Sequence, residues 1–555
     1  MYVDSSSVTA NHKTYTRHLL RSSYRQGGKV RHGTIANISE CTDEEIQAIK
    51  LGLKHKGSLA ALISVKESLK LQQGLPVGAV WLLFSLAKQL NLVKALGPSR
   101  TAKLALWQII ARIIDQGSRL SAVRLASSHA ACDILNLDAF NEDDLYLNLD
   151  WLCKNQSKIE NRLFQSAHAQ SSPALFLYDV TSSYLEGTHN ELGAFGYNRD
   201  GKRGKMQIVV GLLCDDEGVP LSIEVFPGNT QDTKTFAHQV KKVAERFGGG
   251  EVTFVGDRGM IRGPQIKQLQ EFKEHKFHYI SALSKPQIEV LLREGILQMS
   301  LFDETVTEVL PQDNQERYVL RRNPIRAAQV KQTRQSKLNS LEKAVQKYNL
   351  YLKEHPKARV EVGHRKMQEK VKKLKVKSWV EILDKERELS VRVKPTELYE
   401  EEKLDGCYVL RTDLSQDVAS KETIHQRYKD LALVEQVFRT SKTTHLEMRP
   451  IFVQRDTRTR GHAFVVMMAY LIVRALSKMW REFDLTVEEG IHQLATICAQ
   501  EVFIDGKPMF QTIPEPLEDL KRLLDAANVT LPEAIPYKGV VVSTRKKLPE
   551  RRVKR

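Results

Sequence analysis

A succession of β-prone apolar runs and helical patterns at residues 174–283 limits the folds open to this chain. Glu217-Gly218 connects the second and third runs in the manner of a hairpin. The predicted strands are 174–180, 207–216, 219–229, 251–260 and 278–283, and the predicted helices are 233–247 and 264–272. The order β-β-β-α-β-α-β predicts an α/β core for this part of the chain.

The rest of the chain divides into segments around this core. Apolar positions recur at three- and four-residue intervals before residue 170, for example at 77–96 and 102–114, which predicts helices there. The predicted segments are a mostly helical N-terminal region (1–170), the first part of the core (171–290), a basic insertion of mixed α/β structure (291–420), the rest of the core (421–482) and a helical C-terminal region with a basic tail (483–555).

Two segments, 117–130 and 291–420, have patterns that fit more than one structure or fit the core poorly. Residues 117–130 fit either a helix-turn-helix or an ordinary helical hairpin, and the hairpin is favoured because the motif is weak by itself. Residues 291–420 fit the core pattern poorly and are therefore assigned to the insertion. Their predicted elements are strands at 317–322, 389–393 and 407–411 and a long helix at 325–353, followed by core helices at 424–441 and 459–480.

The positive charge of the chain is concentrated in two places. The sequence has 84 Lys and Arg against 67 Asp and Glu, a formal net charge of +17. Residues 321–380 contain 18 basic and 4 acidic residues, and the last fifteen contain 7 basic and 1 acidic residue. The other 480 residues therefore carry a net charge of −3. This distribution predicts a polyanionic partner at the insertion and the tail.

Several protein classes are excluded by the same sequence. The six cysteines form no C-x-x-C pair, which argues against a disulfide framework or a structural zinc site. The longest largely apolar runs reach ten residues, whereas a membrane span needs about 20, so no membrane partner is expected. The N-terminus lacks the apolar core of a secretory signal, which predicts a cytoplasmic protein.

Two aspartates stand at the ends of predicted strands. Asp179 follows the first apolar run and Asp257 follows the fourth, where Gly256 and Gly259 allow a tight turn. Strand ends are where a sheet presents side chains to a common cleft. Either residue alone is equally consistent with a turn former or a helix N-cap.

A third carboxylate, Glu435, lies in a helical pattern with a seven-residue repeat. Tyr428, Glu435 and Lys442 are seven residues apart, so they share one face if a single helix persists that far. Arg439 lies close to the same stripe. The ordinary alternative is a solvent-facing glutamate supported by an arginine four residues on. Several apolar neighbours suggest instead a half-buried glutamate that needs a partner such as a metal ion.

If Asp179, Asp257 and Glu435 converge, their hard oxygen ligands suit Mg²⁺, with Mn²⁺ as a substitute. Paired ions of this kind support phosphodiester hydrolysis and transfer. Nucleotide hydrolysis and serine-hydrolase chemistry have no support, because the sequence has no P-loop, Rossmann fingerprint or G-x-S-x-G motif.

These residues resemble the ribonuclease-H-like core of DDE transposases. The closing motif resembles the insertion-sequence group with the signature Y-x2-R-x3-E-x6-K, except that Leu431 stands where Arg is expected. The segments YDVTSSYLEG, GLLCDDEGVPLSIEVFPGNTQDTKTF, TFVGDRGM and HLEMRPIF occur in the family's order, across roughly residues 174–475. The resemblance also implies an insertion between the second Asp and the Glu, as this chain has.

The resemblance implies a transposase that binds the terminal inverted repeats of its element as a homodimer. It would cut the double-stranded DNA ends by Mg²⁺-dependent hydrolysis and join them to target DNA, with Asp179, Asp257 and Glu435 as metal ligands. Tyr428 and Lys442 would hold the DNA near the scissile phosphate, with Lys429 or Arg439 in place of the missing arginine. The N-terminal region would recognise the ends.

Two alternatives stay open at this level. One is a transposase-derived DNA-binding protein without catalysis, and the other is a metal-dependent nuclease on the same fold. The basic insertion adds a separate prediction, that it clamps the phosphate backbone. Neutralising several of its clustered lysines should weaken DNA binding and flatten its salt dependence. These lysines are Lys370, Lys372, Lys373, Lys375 and Lys377.

Overall fold

The fold is described from a computed structural model of the full sequence. The structure describes residues 1–10, 13–57, 69–170, 172–202, 204–247, 251–258, 260–271, 275–311, 316–442, 446–504, 507–536 and 538–546. The predicted roles of Gly259 and of most of the basic tail lie outside these residues.

The described chain contains helices and strands in a mixed order. In chain order, the strands β1 to β16 are Tyr2–Ala10, Lys13–Gln26, Lys29–Asn37, Leu69–Pro76, Leu175–Tyr184, Gln207–Cys214, Pro220–Pro227, Glu251–Gly256, Lys276–Ala282, Thr307–Val309, Arg317–Arg322, Val380–Lys385, Glu388–Val393, Cys407–Thr412, Cys498–Ile504 and Lys507–Thr512. The helices α1 to α18 are Asp43–Lys54, Gly78–Gln89, Leu92–Leu96, Arg100–Ile114, Arg119–Ser128, Ala131–Leu135, Glu142–Ala167, Asp232–Arg246, Gly263–Glu271, Lys285–Arg293, Pro324–Glu354, Val360–Leu374, Pro395–Lys403, Lys421–Lys429, Leu431–Lys442, Asp456–Met479, Val487–Leu494 and Glu518–Ala526.

The chain divides into two compact units. The first unit comprises Met1–Leu82, Ser128–Asn136 and Glu489–Val540. The second comprises Leu83–Ser127, Leu137–Glu488 and Val541–Arg555. The predicted core and the predicted insertion both belong to the second unit.

A mixed sheet organises the second unit. In the described chain it has eight strands in the order β10-β11-β14-β9-β8-β5-β6-β7. The pairs β5–β8 and β8–β9 are parallel, whereas β5–β6 and β6–β7 are antiparallel. The predicted order of strands and helices in this segment is confirmed, and the fold is a mixed α/β fold.

Apolar side chains on both faces explain why the middle of this sheet forms. Every residue of β6 is buried, as expected for a strand covered on both faces. Phe254 on β8 is fully buried and contacts Phe176, Phe236 and Phe277 at ring-centroid distances of 6.2, 5.6 and 5.4 Å. These aromatic contacts join the sheet to α8, so β5–β9 and this helix share one core.

Part of the predicted insertion belongs to this sheet, and another part forms a separate cluster. Strands β11 and β14, placed in the insertion from sequence, pair with the central sheet through β14 and β9. These two strands therefore continue the central sheet. The segment that builds a separate cluster runs from α11 to α13, where Leu341, Val345 and Trp379 pack with the β12–β13 hairpin.

The prediction of a mostly helical N-terminal region was wrong for its first part. Strands β1, β2 and β3 form an antiparallel sheet, and β4 pairs with β15 from the C-terminal region. The helical prediction for the C-terminal region was likewise wrong at β15 and β16. The first strands escaped prediction because their side chains are mostly polar on both faces, so no apolar period of two is visible.

Two helices bear on the earlier predictions. Within residues 117–130, Arg119–Ser128 form the single helix α5, which buries Arg119, Ala122, Val123 and Ala126. Helix α16 is long and apolar enough to cross a membrane by length and composition, but 67% of its most apolar window is buried inside the protein. It packs against α4 and α7 as a core helix.

Candidate active site

The pairing of β5 with β8 brings the two aspartates together. The parallel register ends at the pair Tyr178 and Gly256, so Asp179 and Asp257 occupy the next position on each neighbouring chain segment. Neighbouring strands lie about 4.8 Å apart. The strand β5 continues to Tyr184 and pairs with β6. Asp179 therefore lies within the strand, and the prediction that it lies at the strand's end was wrong. The two carboxylates therefore meet where the parallel pairing stops.

The environment of Asp179 disfavours its negative charge. Burial raises the pKa of this carboxyl to about 7, and the nearby negative charges of Asp257 and Glu435 act in the same direction. The backbone N–H of Val180 donates to its Oδ1 at 2.7 Å and opposes the shift, as does the positive charge of Arg199. A cation at this position would relieve the repulsion among the carboxylates.

Glu435 comes from a different element and lines the same cleft. It lies on the exposed face of α15, whose opposite face buries Val434, Val437 and Phe438. The cleft has a volume of about 990 Å³, and Asp179, Asp257 and Glu435 all line it. The structure thus places the three predicted carboxylates around one cavity. Within the described residues, however, no three Asp, Glu, His or Cys side chains form a ready-made metal cluster.

Tyr428 holds one of these carboxylates. Its hydroxyl donates to Oδ1 of Asp257 at 3.0 Å, and the backbone N–H of Arg258 donates to the same oxygen at 2.8 Å. Burial raises the pKa of the Tyr428 hydroxyl, and the charge of Asp257 adds to this effect. The phenol therefore stays protonated and orients the carboxylate. The sequence had predicted only that Tyr428 holds DNA near the scissile phosphate.

The predicted continuous helix face from Tyr428 to Lys442 was wrong. The helix ends at Lys429 and a new one begins at Leu431, with Asp430 between them. Tyr428 therefore belongs to α14, whereas Glu435 and Lys442 belong to α15.

Lys442 reaches the cleft but is already engaged. Its ammonium donates to the hydroxyl of Thr181 at 3.1 Å, to the carbonyl of Ser182 at 2.7 Å and to the carboxylate of Asp200. These contacts tie α15 to β5. In this structure the lysine is held by protein oxygens, and Asp200 occupies the position of an anionic partner.

The cleft contains charged residues that the sequence reasoning missed. Arg199 donates to both oxygens of Asp232 at 2.7 and 2.6 Å, and Arg449 donates to the Tyr184 hydroxyl. Of the described lining residues, five are carboxylates and four are cations. Asp200 and Arg199 lie in a connection without a periodic pattern, so the sequence did not point to them. Asp232 and Arg449 lie in two of the family-like segments, which was the one available signal.

The remaining predicted DNA contacts near the cleft fall into two groups. Arg439 is exposed and lines the cleft, and Lys429 is exposed at the end of α14. Leu431 is buried at the start of α15, so this position contributes to the core and not to phosphate binding. The apolar side chain at this site is explained by its inward position.

The predicted lysine cluster of the insertion is mostly exposed. Lys372, Lys373, Lys375 and Lys377 are exposed around the C-terminal end of α12. Lys370 is half-buried and donates to the carbonyl of Ser340 at 2.6 Å, which joins α12 to α11. Lys370 therefore makes a contact within the protein, whereas the sequence prediction treated it like the other four lysines.

The family of this chain follows from its sequence match over the same region. The model of the transposase DDE domain matches residues 170–472, more than half of the chain. The chain belongs to the DDE transposase family. Residues 5–61 of the transposase match the N-terminal domain of IS1634 family transposases, which places it among the insertion-sequence enzymes. No curated protein matches the chain.

Solved structures of other transposases are distantly similar. A cryo-EM structure of the piggyBac transposase synaptic complex with hairpin DNA has 10% identity and a TM-score of 0.36, over 71% of this chain and 69% of that chain. The Mos1 transposase paired-end complex with left transposon end has 9% identity and a TM-score of 0.14, over 29% and 59%. The roles of individual residues in this transposase therefore rest on its own geometry.

The cleft suits the divalent cation that the DDE family uses. All three candidate ligands offer carboxylate oxygens, the donor type that Mg²⁺ prefers. Burial and, to a smaller extent, the charges of Asp257 and Glu435 raise the pKa of Asp179, and a bound cation would favour its ionised form. The donor set thus fits such an ion.

Proposed function

We propose that this transposase cuts the DNA ends of its insertion sequence by Mg²⁺-dependent phosphodiester hydrolysis and joins them to target DNA. Asp179, Asp257 and Glu435 would be the metal ligands, in a catalytic core of ribonuclease-H-like type. The observation that carries the proposal is the adjacency of Asp179 and Asp257 at the end of the β5–β8 pairing, in a cleft that Glu435 also lines.

The side chains around the carboxylates support this chemistry. When bound, the metal would activate the attacking water or 3′-hydroxyl and stabilise the leaving oxygen. Tyr428 orients Asp257 through its hydroxyl, and the exposed cation Arg439 offers charge to a phosphate at the cleft. Lys442 would contact DNA after exchanging Asp200 for a phosphate oxygen.

The proposal includes the assembly and the place of action. The transposase would bring two element ends together as a homodimer in a synaptic complex. It would act on double-stranded DNA in the cytoplasm. The exposed lysines of the insertion would contact the phosphate backbone next to the cleft.

The experiment is a cleavage and joining assay on a DNA fragment that carries the candidate element ends, with and without Mg²⁺. Glu435→Gln should abolish both cutting and joining but leave DNA binding in EDTA unchanged, because it removes one ligand oxygen and keeps the side-chain shape. Glu422→Gln on the exposed face of α14 is the matched control and should cut like the wild type.

Other outcomes separate the alternatives. Cutting without joining would favour a metal-dependent nuclease on the same fold. Binding without cutting in the wild type would favour a DNA-binding protein that has lost catalysis. Full activity of Glu435→Gln would remove Glu435 from the ligand set.

A further inference from the structure

A small cavity adjoins the active-site cleft within the second unit. Its lining includes Arg112 from α4, Arg119 from α5 and His462 from α16. Arg449 lines both this cavity and the cleft, so the two share a wall. The cavity leaves about 10 Å³ for the centre of a water-sized particle, which is room for a single such particle. Any ligand of this cavity must therefore be very small.

The two arginines of this cavity are buried without a carboxylate partner. Arg112 and Arg119 are each 4% exposed. Among the described residues no carboxylate forms an ion pair with either guanidinium, and Glu447, the carboxylate that lines the cavity, pairs with Arg449 instead. Burial lowers the pKa of Arg112 to about 10 and that of Arg119 to about 9, so both stay charged at neutral pH. Buried charges in proteins are normally paired, so this arrangement calls for a partner.

The two arginines donate to neutral acceptors. The guanidinium of Arg112 donates to the carbonyls of Gln116 and Gly117 at 2.6 and 3.0 Å. Nη2 of Arg119 lies 2.9 Å from Nδ1 of His462, and because an arginine can only donate, this ring nitrogen accepts. Burial and the charges of the two arginines lower the pKa of His462 well below its usual value, so the imidazole is neutral. These acceptors soften the two positive charges but do not cancel them.

Each arginine also has one N–H group without an acceptor. Nε of Arg112 and Nε of Arg119 are buried and have no hydrogen-bond partner within the part of the chain that the structure describes. A buried donor without an acceptor is destabilising, and more so when it belongs to a charged group. Two such donors on side chains that line one cavity favour a ligand that accepts hydrogen bonds from both.

The charge of the lining selects the class of ligand. Arg112, Arg119 and Arg449 contribute three positive charges and Glu447 one negative charge, so the charged lining residues carry a net charge of +2. A water molecule would accept hydrogen bonds but leave this charge in place, whereas an anion would reduce it. A phosphate or carboxylate group has several heavy atoms and exceeds the space for one water-sized particle. A monatomic anion fits both the charge and the size.

We propose that this cavity binds a chloride ion between the guanidinium groups of Arg112 and Arg119. The ion offsets part of the buried positive charge and accepts hydrogen bonds from the two Nε groups. It thereby steadies Arg112, whose carbonyl contacts brace the turn between α4 and α5, and the neighbouring pair of Glu447 and Arg449 at the wall of the cleft. The proposal goes beyond the proposed function and does not depend on it.

The first test measures the chlorine NMR line width of a sodium chloride solution that contains the full chain. Chloride held by a protein relaxes faster than free chloride, so the wild type should broaden the line. Sodium bromide should reverse this broadening by taking the site, whereas sodium glutamate, whose anion is too large for the cavity, should not. Arg119→Met removes the cation and should lose the bromide-sensitive part. Arg124→Met, on the exposed face of the same helix, is the matched control and should keep it.

The second test measures the melting temperature in sodium chloride and in sodium glutamate at equal sodium concentrations. A ligand that binds only the folded state stabilises it in proportion to the logarithm of its concentration once the site is filled. The wild type should therefore gain roughly 1–3 °C over Arg119→Met for each tenfold rise in chloride above the dissociation constant. Arg124→Met should gain as much as the wild type. Arg112→Met removes the other cation, should behave like Arg119→Met and serves if that variant does not fold.

Three outcomes overturn the proposal. One is the absence of bromide-sensitive broadening in the wild type, and another is equal broadening by the wild type and Arg119→Met. The third is a salt dependence of melting that Arg112→Met and Arg119→Met share with the wild type, which would show that the cavity holds water only. Both tests are made without DNA or Mg²⁺, so their outcome is independent of the Glu435→Gln cleavage assay.

Discussion

The central sheet and the N-terminal sheet of this transposase are built from opposite kinds of sequence. In the central sheet, β6 is buried along its whole length and Phe254 is packed between three other aromatic rings. In the N-terminal sheet, β2 is mostly polar, with three arginines among its residues, and its described side chains remain exposed or half-buried. One sheet is held by an apolar core, and the other has no buried side chain among those described.

The two sheets differ in how firmly they are packed. A buried sheet holds Asp179 and Asp257 at a fixed separation, because β5 and β8 cannot shift without opening the core. Among the described side chains of β1–β3 none is buried, so that sheet has no such core. The following predictions test this difference in packing.

The largest difference should appear in core truncation. Phe254→Ala removes a fully buried ring and should lower the free energy of unfolding by about 3–5 kcal/mol. Val30→Ala on β3 removes exposed atoms and should change it by less than about 0.5 kcal/mol. Urea unfolding followed by circular dichroism measures both. Equal effects at the two sites would contradict the proposed difference in packing.

The next difference is the effect on cutting of replacing a tyrosine by phenylalanine, at Tyr428 in the cleft and at Tyr2 in the N-terminal sheet. Tyr428→Phe removes a hydrogen bond to a carboxylate, which is worth about 1.5–3 kcal/mol, and should slow Mg²⁺-dependent cutting by about 10- to 100-fold. It should also raise the Mg²⁺ concentration needed for half-maximal rate, because Asp257 loses its orientation.

Tyr2→Phe is the matched control for this experiment. It removes an exposed hydrogen bond to His32 and should leave the Mg²⁺ requirement unchanged. A normal Mg²⁺ titration in Tyr428→Phe would show that Tyr428 does not position Asp257.

Glycine substitution provides a smaller and purely steric comparison. A Cβ at Gly211 on β6 would lie 2.4 Å from the hydroxyl of buried Tyr178, so Gly211→Ala should destabilise the protein by about 1–3 kcal/mol. A Cβ at Gly33 on β3 would lie 3.4 Å from Cε1 of Tyr24, which is close to ordinary contact. Gly33→Ala should therefore leave the melting temperature within a few degrees of wild type, and a large loss there would reveal hidden packing.

The smallest expected effect is the pH dependence due to a buried histidine. Burial, together with the positive charges of Lys429 and Arg321, lowers the pKa of His425 to about 4. The unfolded value is about 6.5. Between these pH values the unfolded state binds the extra proton, so stability falls as the pH drops from 6.5 towards 4.

The measurement compares the melting temperature at pH 7 and pH 5. His425→Gln should reduce the difference between the two, because the titrating group is gone. A difference as large as that of the wild type would assign the pH dependence to other groups.

The core was predictable from sequence because its elements follow apolar periods. The bounds of β6, β7 and α8 differ from the prediction by a few residues. The N-terminal strands were missed because their pairing is visible only once β1, β2 and β3 meet. The break at Asp430 was missed because the apolar positions continue across it.

The sequence by itself determined the element order of the core, the identity of the three candidate ligands and the family resemblance. These depend on local periodicity and on short motifs, which the chain carries whatever its partners in space. The tertiary structure decided that Tyr428 holds Asp257, that Lys442 is tied to Asp200, and that β1, β2 and β3 form a sheet. Each of these depends on contacts between residues far apart in the chain, which no local pattern encodes.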